Sequence, residues 1–128
     1  LTHLKLQKLC YLAEAYHLAL YDAPLTGEPF QAWAHGPVSL TIWHQYKKYK
    51  WLSISEKCLP PVLPGKTDRY LEEIKNVFFG FTAYQLECIV HADTAWKKAR
   101  GCLAPEASCK QIINQKDMAD YYKQFIKQ

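Results

Sequence analysis

Histidine and glutamate residues at helical spacing are the first candidates for chemistry in this chain. Glu14 and His17 are three residues apart, and Glu87 and His91 are four residues apart. A di-metal carboxylate site in a helical bundle needs two Glu-x-x-His pairs and further carboxylates. Only the first pair has this spacing, and no H-E-x-x-H sequence is present. We therefore predict that the protein binds no metal and uses no cofactor.

Nucleophilic catalysis would need a cysteine or serine next to a base. The chain has five cysteines and five histidines, but they are scattered and no local signature pairs them. Ser39 lacks the G-x-S-x-G pattern of a nucleophile elbow. Cys10 and Cys88 fall on apolar faces of predicted helices, where we expect them to be core residues. These observations predict that the protein is not an enzyme.

Two basic clusters adjoin tryptophans, a combination that can bind single-stranded nucleic acid. One cluster runs from Lys47 to Trp51, and the other runs from Trp96 to Arg100. Both lie at the C-termini of predicted helices, where cations complement the helix dipole. The net charge of +4 permits nucleic-acid binding without indicating it. A nucleic-acid-binding regulator therefore stays the alternative function, and direct nucleic-acid binding is less favoured than a plain structural role of these cations at helix ends.

An aromatic elbow separates the first two predicted helices, with the sequence Ala32-Trp33-Ala34-His35-Gly36-Pro37-Val38. Glycine adopts backbone angles that other residues avoid, and proline fixes φ near the helical value. We predict that Gly36 ends the preceding segment and that Pro37 starts a helix that reaches about Tyr49.

Apolar spacing predicts that the first helix begins at the N-cap Thr2 and ends near Tyr21. We expect its polar positions at Lys5, Lys8 and Glu14, and we expect Lys5, Gln7 and Lys8 to face solvent or to be buried in an internal polar network. Its predicted apolar stripe consists of Leu6, Leu9, Cys10, Ala13, Tyr16 and Leu20.

Four further helices are predicted after residue 67. One spans about 68–79 with Val77 among its inward residues, and the next starts at a capping box of Thr82 and Gln85. Asp93 or Thr94 caps a short helix that Gly101 closes, and Asn114 caps the last one. We also predict that residues 30–33 and 112–113 form two short strands that pair with each other.

The composition is that of a globular chain, with 49% hydrophobic and 22% charged residues. We predict a mainly α fold: a compact single domain over residues 1–128, built as a bundle of about five to six helices with at most a short two-stranded β element. The odd number of scattered cysteines indicates a reducing cytoplasm. No apolar run reaches the ~18 residues of a membrane span, so we predict no membrane contact.

Several sequence blocks resemble the Panacea domain, the family of SocA-like antitoxins that is also described as phage-associated GepA-like proteins. The blocks are Lys5-Leu6-Gln7-Lys8-Leu9-x-Tyr11, Tyr16–Tyr21, Pro24-Leu25, Ala32-Trp33-x-x-Gly36-Pro37-Val38, and His91 with Trp96-Lys97. Val90 and Ala95 depart from the threonine and proline that are usual there. The family usually has a short helical segment before the first block, so we expect that an N-terminal segment is missing.

The resemblance implies a bacterial, cytoplasmic antitoxin that binds and neutralises a cognate toxin protein of a phage-linked or mobile-element operon. One branch of the family resembles an adaptor to a cytoplasmic protease, and both this route and self-association stay open. The motif residues expected to shape the structure are Tyr11, Gly36, Pro37 and Val38. The motif residues expected to contact a partner are Lys5, Gln7, Lys8, Trp33, His35, His91 and Trp96.

Overall fold

The computed structural model describes residues 1–50, 52–55 and 63–126 of the 128-residue chain. Over these residues the chain forms six α-helices, one 3₁₀ turn and a two-stranded antiparallel sheet. The predicted mainly α fold with a short β element is therefore confirmed. The elements are α1 (His3–Tyr21), β1 (Gln31–Trp33), β2 (Gly36–Val38), α2 (Leu40–Tyr46), the 3₁₀ turn (Lys47–Tyr49), α3 (Gly65–Phe78), α4 (Ala83–His91), α5 (Thr94–Arg100) and α6 (Gln115–Lys123).

Side-chain caps define where five of these helices begin. In each case a side-chain oxygen accepts a backbone N–H of the first turn, which would otherwise lack an intrahelical partner. The predicted capping box at the start of α4 is confirmed in both of its hydrogen bonds. α3 begins three residues earlier than predicted. The capping residues are Thr2, Ser39, Thr82, Asp93 and Asn114.

α1 is the central helix, and its buried face differs from the predicted one. Lys8 and Glu14, which were expected at polar positions, are only 1% and 2% exposed, whereas Leu20 of the predicted stripe is 43% exposed. α1 packs against α2, α3, α4, α6 and β2. A helix that is enclosed on several sides does not show a single apolar stripe, and this is why the prediction from periodicity was wrong.

The elbow residues form a β-hairpin, so the prediction that Pro37 starts a helix was wrong. Trp33 pairs with Gly36 around the two-residue loop 34–35, and Ala32 pairs with Pro37. The Ala32 N–H and C=O instead point away from β2, to the Gln111 carbonyl at 2.9 Å and to Arg100. Because this pair exchanges no hydrogen bond, a strand proline without an N–H fits opposite Ala32.

The predicted pairing of residues 30–33 with residues 112–113 is present, but it is limited to one isolated bridge. Gln31 and Ile112 form an isolated antiparallel bridge, and the Ile113 N–H donates to the Phe30 carbonyl at 2.8 Å. The 112–113 segment therefore pairs with the 30–32 segment as predicted, but the second strand of the sheet is β2.

Besides Leu20, two further residues that were expected to be buried are exposed. Val77 on α3 is 59% exposed, and Cys88 on α4 is exposed as well. α3 instead buries Tyr70 and Phe78. Cys58 and Trp51 lie outside the described residues. Within those residues, none of the helices combines the length and the apolar character that are needed to span a bilayer.

A buried carboxylate lies inside the hydrophobic core, where α1, α5 and α6 meet. Asp93 is 0% exposed and accepts hydrogen bonds from the Tyr11 hydroxyl and from the Tyr122 hydroxyl at 2.9 Å. It also accepts the backbone N–H groups of Ala95 and Trp96, at 2.7 and 3.3 Å, and so caps α5. Burial, together with the Asp93 charge, raises the pKa of both tyrosines. Both hydroxyls therefore keep their protons and act as donors.

We expect Asp93→Ala to lower the free energy of unfolding by at least about 3 kcal/mol, because two buried hydroxyls and a helix N-terminus lose their acceptor. The control Asp120→Ala removes an exposed carboxylate that pairs with Lys116 one turn away, and it should change stability by less than about 0.5 kcal/mol. Urea unfolding followed by circular dichroism measures both. Equal losses in the two variants would contradict the central role of Asp93.

Candidate functional site

A groove of about 830 Å³ opens beside the β-hairpin and is the candidate functional site. Its volume lies in the range of ligand-binding clefts, and its walls are mainly apolar. We call it the hairpin groove. It is lined by His3, Leu4, Gln7 and Lys8 of α1, by residues 33–38 of the hairpin, by Trp43, Lys47 and Lys50 of α2 and the following turn, and by Glu106, Ser108 and Cys109.

The hairpin groove brings together four of the seven predicted partner-contacting residues, namely Gln7, Lys8, Trp33 and His35. Gly36, Pro37 and Val38, which were predicted to shape the structure, also line the groove. The other three candidates, Lys5, His91 and Trp96, do not line it, and Tyr11 lies in the core.

Gln7 joins α1 to the start of α2. Its Oε1 accepts the Ser39 N–H at 2.9 Å, and its Nε2 donates to the Ser39 carbonyl at 3.1 Å. The same Nε2 is 3.0 Å from the Nε2 of His3. Burial lowers the pKa of His3, which favours the neutral ring that can accept this bond. Gln7 thus positions the groove wall, because its amide groups are already engaged within the protein.

Trp96 and Arg100 of α5 hold the hairpin from behind the groove. The Trp96 indole N–H donates to the Trp33 carbonyl, and the Arg100 guanidinium donates to the Ala32 carbonyl, both at 2.9 Å. The His91 ring stacks on the Trp96 ring, with centroids 4.7 Å apart. The structure therefore places His91 and Trp96 in support of the hairpin.

The aromatic wall of the groove combines one predicted residue with two that the sequence analysis missed. Trp33 and Trp43 meet edge to face at 5.0 Å, and His3 lies 5.2 Å from Trp43. His3 precedes Gln7 by four residues and so shares its helix face, which is a signal that could have identified it. Trp43 reaches the groove because α2 begins at Ser39, and the wrong helix start concealed this placement.

Charge around the groove is mainly positive. Lys47 and Lys50 line it, and Glu106 is the only carboxylate among its described lining residues. His35 is exposed, and its Nδ1 lies 3.2 Å from the Glu87 carboxylate. The Nε2 of His91 is 3.6 Å from the same carboxylate. Glu87 therefore interacts with both histidines just beyond the groove.

Lys8 is a buried cation in the groove lining. Its Nζ makes no hydrogen bond to any group in the described residues, and its side chain packs beside Gly36. Burial lowers the pKa of Lys8 to about 8, against the opposing effect of the Glu87 charge. Most of the amine is therefore still protonated at neutral pH.

Lys5 lies at the contact between α1 and the end of α3, outside the groove. Its Nζ donates to the Phe79 carbonyl and lies 4.7 Å from the centre of the Phe79 ring. This lysine acts within the structure as a link between two helices.

The residues that were considered for catalysis or metal binding have structural partners. The buried Glu14 carboxylate accepts the Leu25 and Thr26 N–H groups, and the Nδ1 of His17 is 2.6 Å from the Ala23 carbonyl. Burial raises the pKa of Cys10 to about 11, which disfavours the nucleophilic thiolate. Across residues 1–50, 52–55 and 63–126, no three His, Cys, Asp or Glu side chains are grouped to hold a metal ion.

Comparison with known proteins identifies one family. The sequence model described as "Antitoxin SocA-like, Panacea domain" matches residues 6–97, which include most of α1, the hairpin, α2, α3, α4 and the first half of α5. No curated protein and no solved structure matches the chain.

We expect Gly36→Ala to lower the free energy of unfolding by about 2 kcal/mol or more. Gly36 has φ +127°, and an added Cβ would lie 3.1 Å from the buried Val90. Both features strain any residue with a side chain. The control Gly80→Ala adds a Cβ with nothing within 4 Å and should stay within about 0.5 kcal/mol of wild type. Thermal and urea unfolding measure both, and equal stability of the two variants would contradict the role of Gly36.

We expect Lys8→Met to raise the free energy of unfolding at pH 7 by about 1–3 kcal/mol, because it removes a buried charge that makes no hydrogen bond to any described residue. The advantage should shrink between pH 8 and pH 10. In that range the unfolded lysine holds its proton while the folded one releases it, so wild-type stability rises with pH relative to the variant. Unfolding curves of both proteins at several pH values measure the difference. An advantage that stays constant with pH would contradict this account.

Proposed function

Because the chain belongs to the SocA-like antitoxin family of Panacea domains, we propose that it is an antitoxin that binds a cognate toxin protein directly and neutralises it without catalysis. The hairpin groove is the proposed contact surface for the toxin. Four of the seven motif residues that were expected to contact a partner line this groove. The other three, Lys5, His91 and Trp96, support the surrounding structure.

The convergence of the motif residues on one open groove is the observation that carries the proposal. Gln7 and Lys8 come from α1, and Trp33 and His35 come from the hairpin, more than twenty residues later in the chain. Protein interfaces are enriched in aromatic anchors that pack in pockets. The Trp33–Trp43 wall offers such a pocket for an apolar side chain of the partner.

Neutralisation can follow either of two routes once the toxin is bound. The antitoxin can cover the active site of the toxin, or it can deliver the toxin to an ATP-dependent protease. The two routes differ in the fate of the toxin, because only delivery lowers its cellular level. The amount of toxin in cells that lack each cytoplasmic protease distinguishes them.

The first experiment is a pull-down of the tagged protein from its native host, with and without nuclease and at low and high salt. We expect a stoichiometric protein that is encoded next to this gene, is toxic when expressed alone, and stays bound after both treatments. Phosphate contacts weaken steeply with salt. Loss of the partner after nuclease, or recovery of nucleic acid, would overturn the proposal in favour of a nucleic-acid-binding regulator.

We expect Leu4→Asp to weaken toxin binding at least tenfold and to abolish rescue of growth. Leu4 lines the groove and is 45% exposed, so the change places a charge on the apolar wall with little cost to folding. The matched control Tyr84→Asp alters a 73% exposed residue of α4 outside the groove and should leave the affinity within twofold of wild type.

Calorimetric titration of the toxin, together with a growth assay on co-expression, measures both variants. Unchanged affinity in the Leu4 variant would exclude the groove as the contact surface. It would leave the antitoxin assignment itself intact if the wild-type protein still binds the toxin.

A further inference from the structure

The hairpin groove contains a buried lysine, Lys8, to which the described residues offer no direct counter-ion. Lys8 is 1% exposed, and its Nζ has no hydrogen-bond partner in the described part of the chain. The carboxylate that influences it, Glu87, is 3.2 Å from His35 and 3.6 Å from His91. No ion pair within 4.0 Å joins Glu87 to Lys8 among the described residues. The other buried charges, Glu14, Asp93 and Arg100, do make hydrogen bonds.

This arrangement favours an external anion. An ammonium that is removed from water without a partner is unfavourable, and the usual compensation is a hydrogen-bonded carboxylate. In the free protein Lys8 is already partly desolvated, and its Cε lies close to Gly36. A carboxylate that enters the groove therefore meets a positioned cation, and the pairing is opposed by the carboxylate's own loss of hydration and by the loss of motional freedom of its segment.

The surroundings of Lys8 define the rest of the ligand. The walls are mainly apolar and include the Trp33 and Trp43 rings, so the body of the ligand must be apolar. Lys47 and Lys50 add positive charge to the lining, against the single carboxylate of Glu106. A volume of about 830 Å³ is in the upper part of the range for ligand clefts, with room for more than one side chain.

We propose that the hairpin groove receives a segment of the toxin in which an Asp or Glu side chain stands next to an aromatic or large aliphatic residue, and that this carboxylate pairs with Lys8. The inference rests on the proposed antitoxin function and names the chemistry by which the partner is recognised. The apolar neighbour packs against Trp33 and Trp43, while Lys47 and Lys50 attract the acidic segment as it approaches.

A pair of capped peptides tests the charge requirement without the toxin. Acetyl-Trp-Asp-Leu-amide and acetyl-Trp-Asn-Leu-amide have nearly the same shape and differ by one charge. Titrations followed by ¹H–¹⁵N NMR report binding through the indole N–H signals of Trp33 and Trp43. We expect the Asp peptide to bind at least tenfold more tightly than the Asn peptide, and to shift these signals rather than those of residues outside the groove.

Lys8→Met should reduce the preference for the Asp peptide to within twofold, because the counter-ion is gone while the apolar wall remains. Lys110→Met, which removes an exposed lysine, is the matched control and should keep the tenfold preference. The unfolding curves of both variants confirm that they are folded. Equal binding of the two peptides to the wild type, or a preference that survives Lys8→Met, would overturn the proposal.

Two further results separate this proposal from the antitoxin function. If the wild-type protein retains a toxin and Lys8→Met does not change its affinity, the carboxylate proposal fails and the antitoxin function stands. If no toxin is retained, the antitoxin function fails, and the peptide titrations still decide whether Lys8 selects a carboxylate. Indole-3-acetate that binds as tightly as the Asp peptide would indicate a site for small carboxylates and would overturn the docking of a toxin segment.

Discussion

The rest of the structure depends on the hydrogen bonds that the buried Asp93 carboxylate accepts. A carboxylate in an apolar core must be surrounded by donors, and here the donors come from α1, α5 and α6. Satisfying one acidic group therefore fixes how three helices meet. α5, once placed, holds the hairpin through Trp96 and Arg100. The position of one groove wall therefore depends on the two carboxylate oxygens of Asp93.

The buried face of α1 shows how polar groups are divided between structure and binding. Glu14 holds the loop after α1 through the N–H groups of residues 25 and 26, and Gln7 holds the start of α2. Both are fully engaged with backbone groups, as buried polar side chains generally are. Lys8 is equally buried but makes no such bond within the part of the chain that the structure describes. On this helix, Glu14 and Gln7 therefore stabilise the fold, whereas Lys8 keeps its ammonium group for a partner.

Local features were predictable from the sequence, whereas most features that depend on distant contacts were not; the pairing of residues 112–113 with residues 30–32 is an exception. The capping box of Thr82 and Gln85 lies within four residues, so its pattern predicts the start of α4. Gly36-Pro37 is locally compatible with a helix start or with an edge strand, and the choice is made by α5 and by the 111–113 segment. Lys8 was expected on a polar face because the neighbours that enclose α1 come from the whole length of the chain. The groove itself exists only in the folded chain.

Arg100 holds the backbone of residues 104–107 in place through hydrogen bonds to main-chain carbonyls. Its guanidinium donates to the main-chain carbonyls of residues 104, 105 and 107. Every residue type carries a carbonyl, so this hold does not depend on which side chains the segment bears. Glu106 and Ser108 are exposed and line the groove beside these anchored residues. One wall of the groove can therefore change its side chains, and with them its preferred partner, while the backbone that presents them keeps its shape.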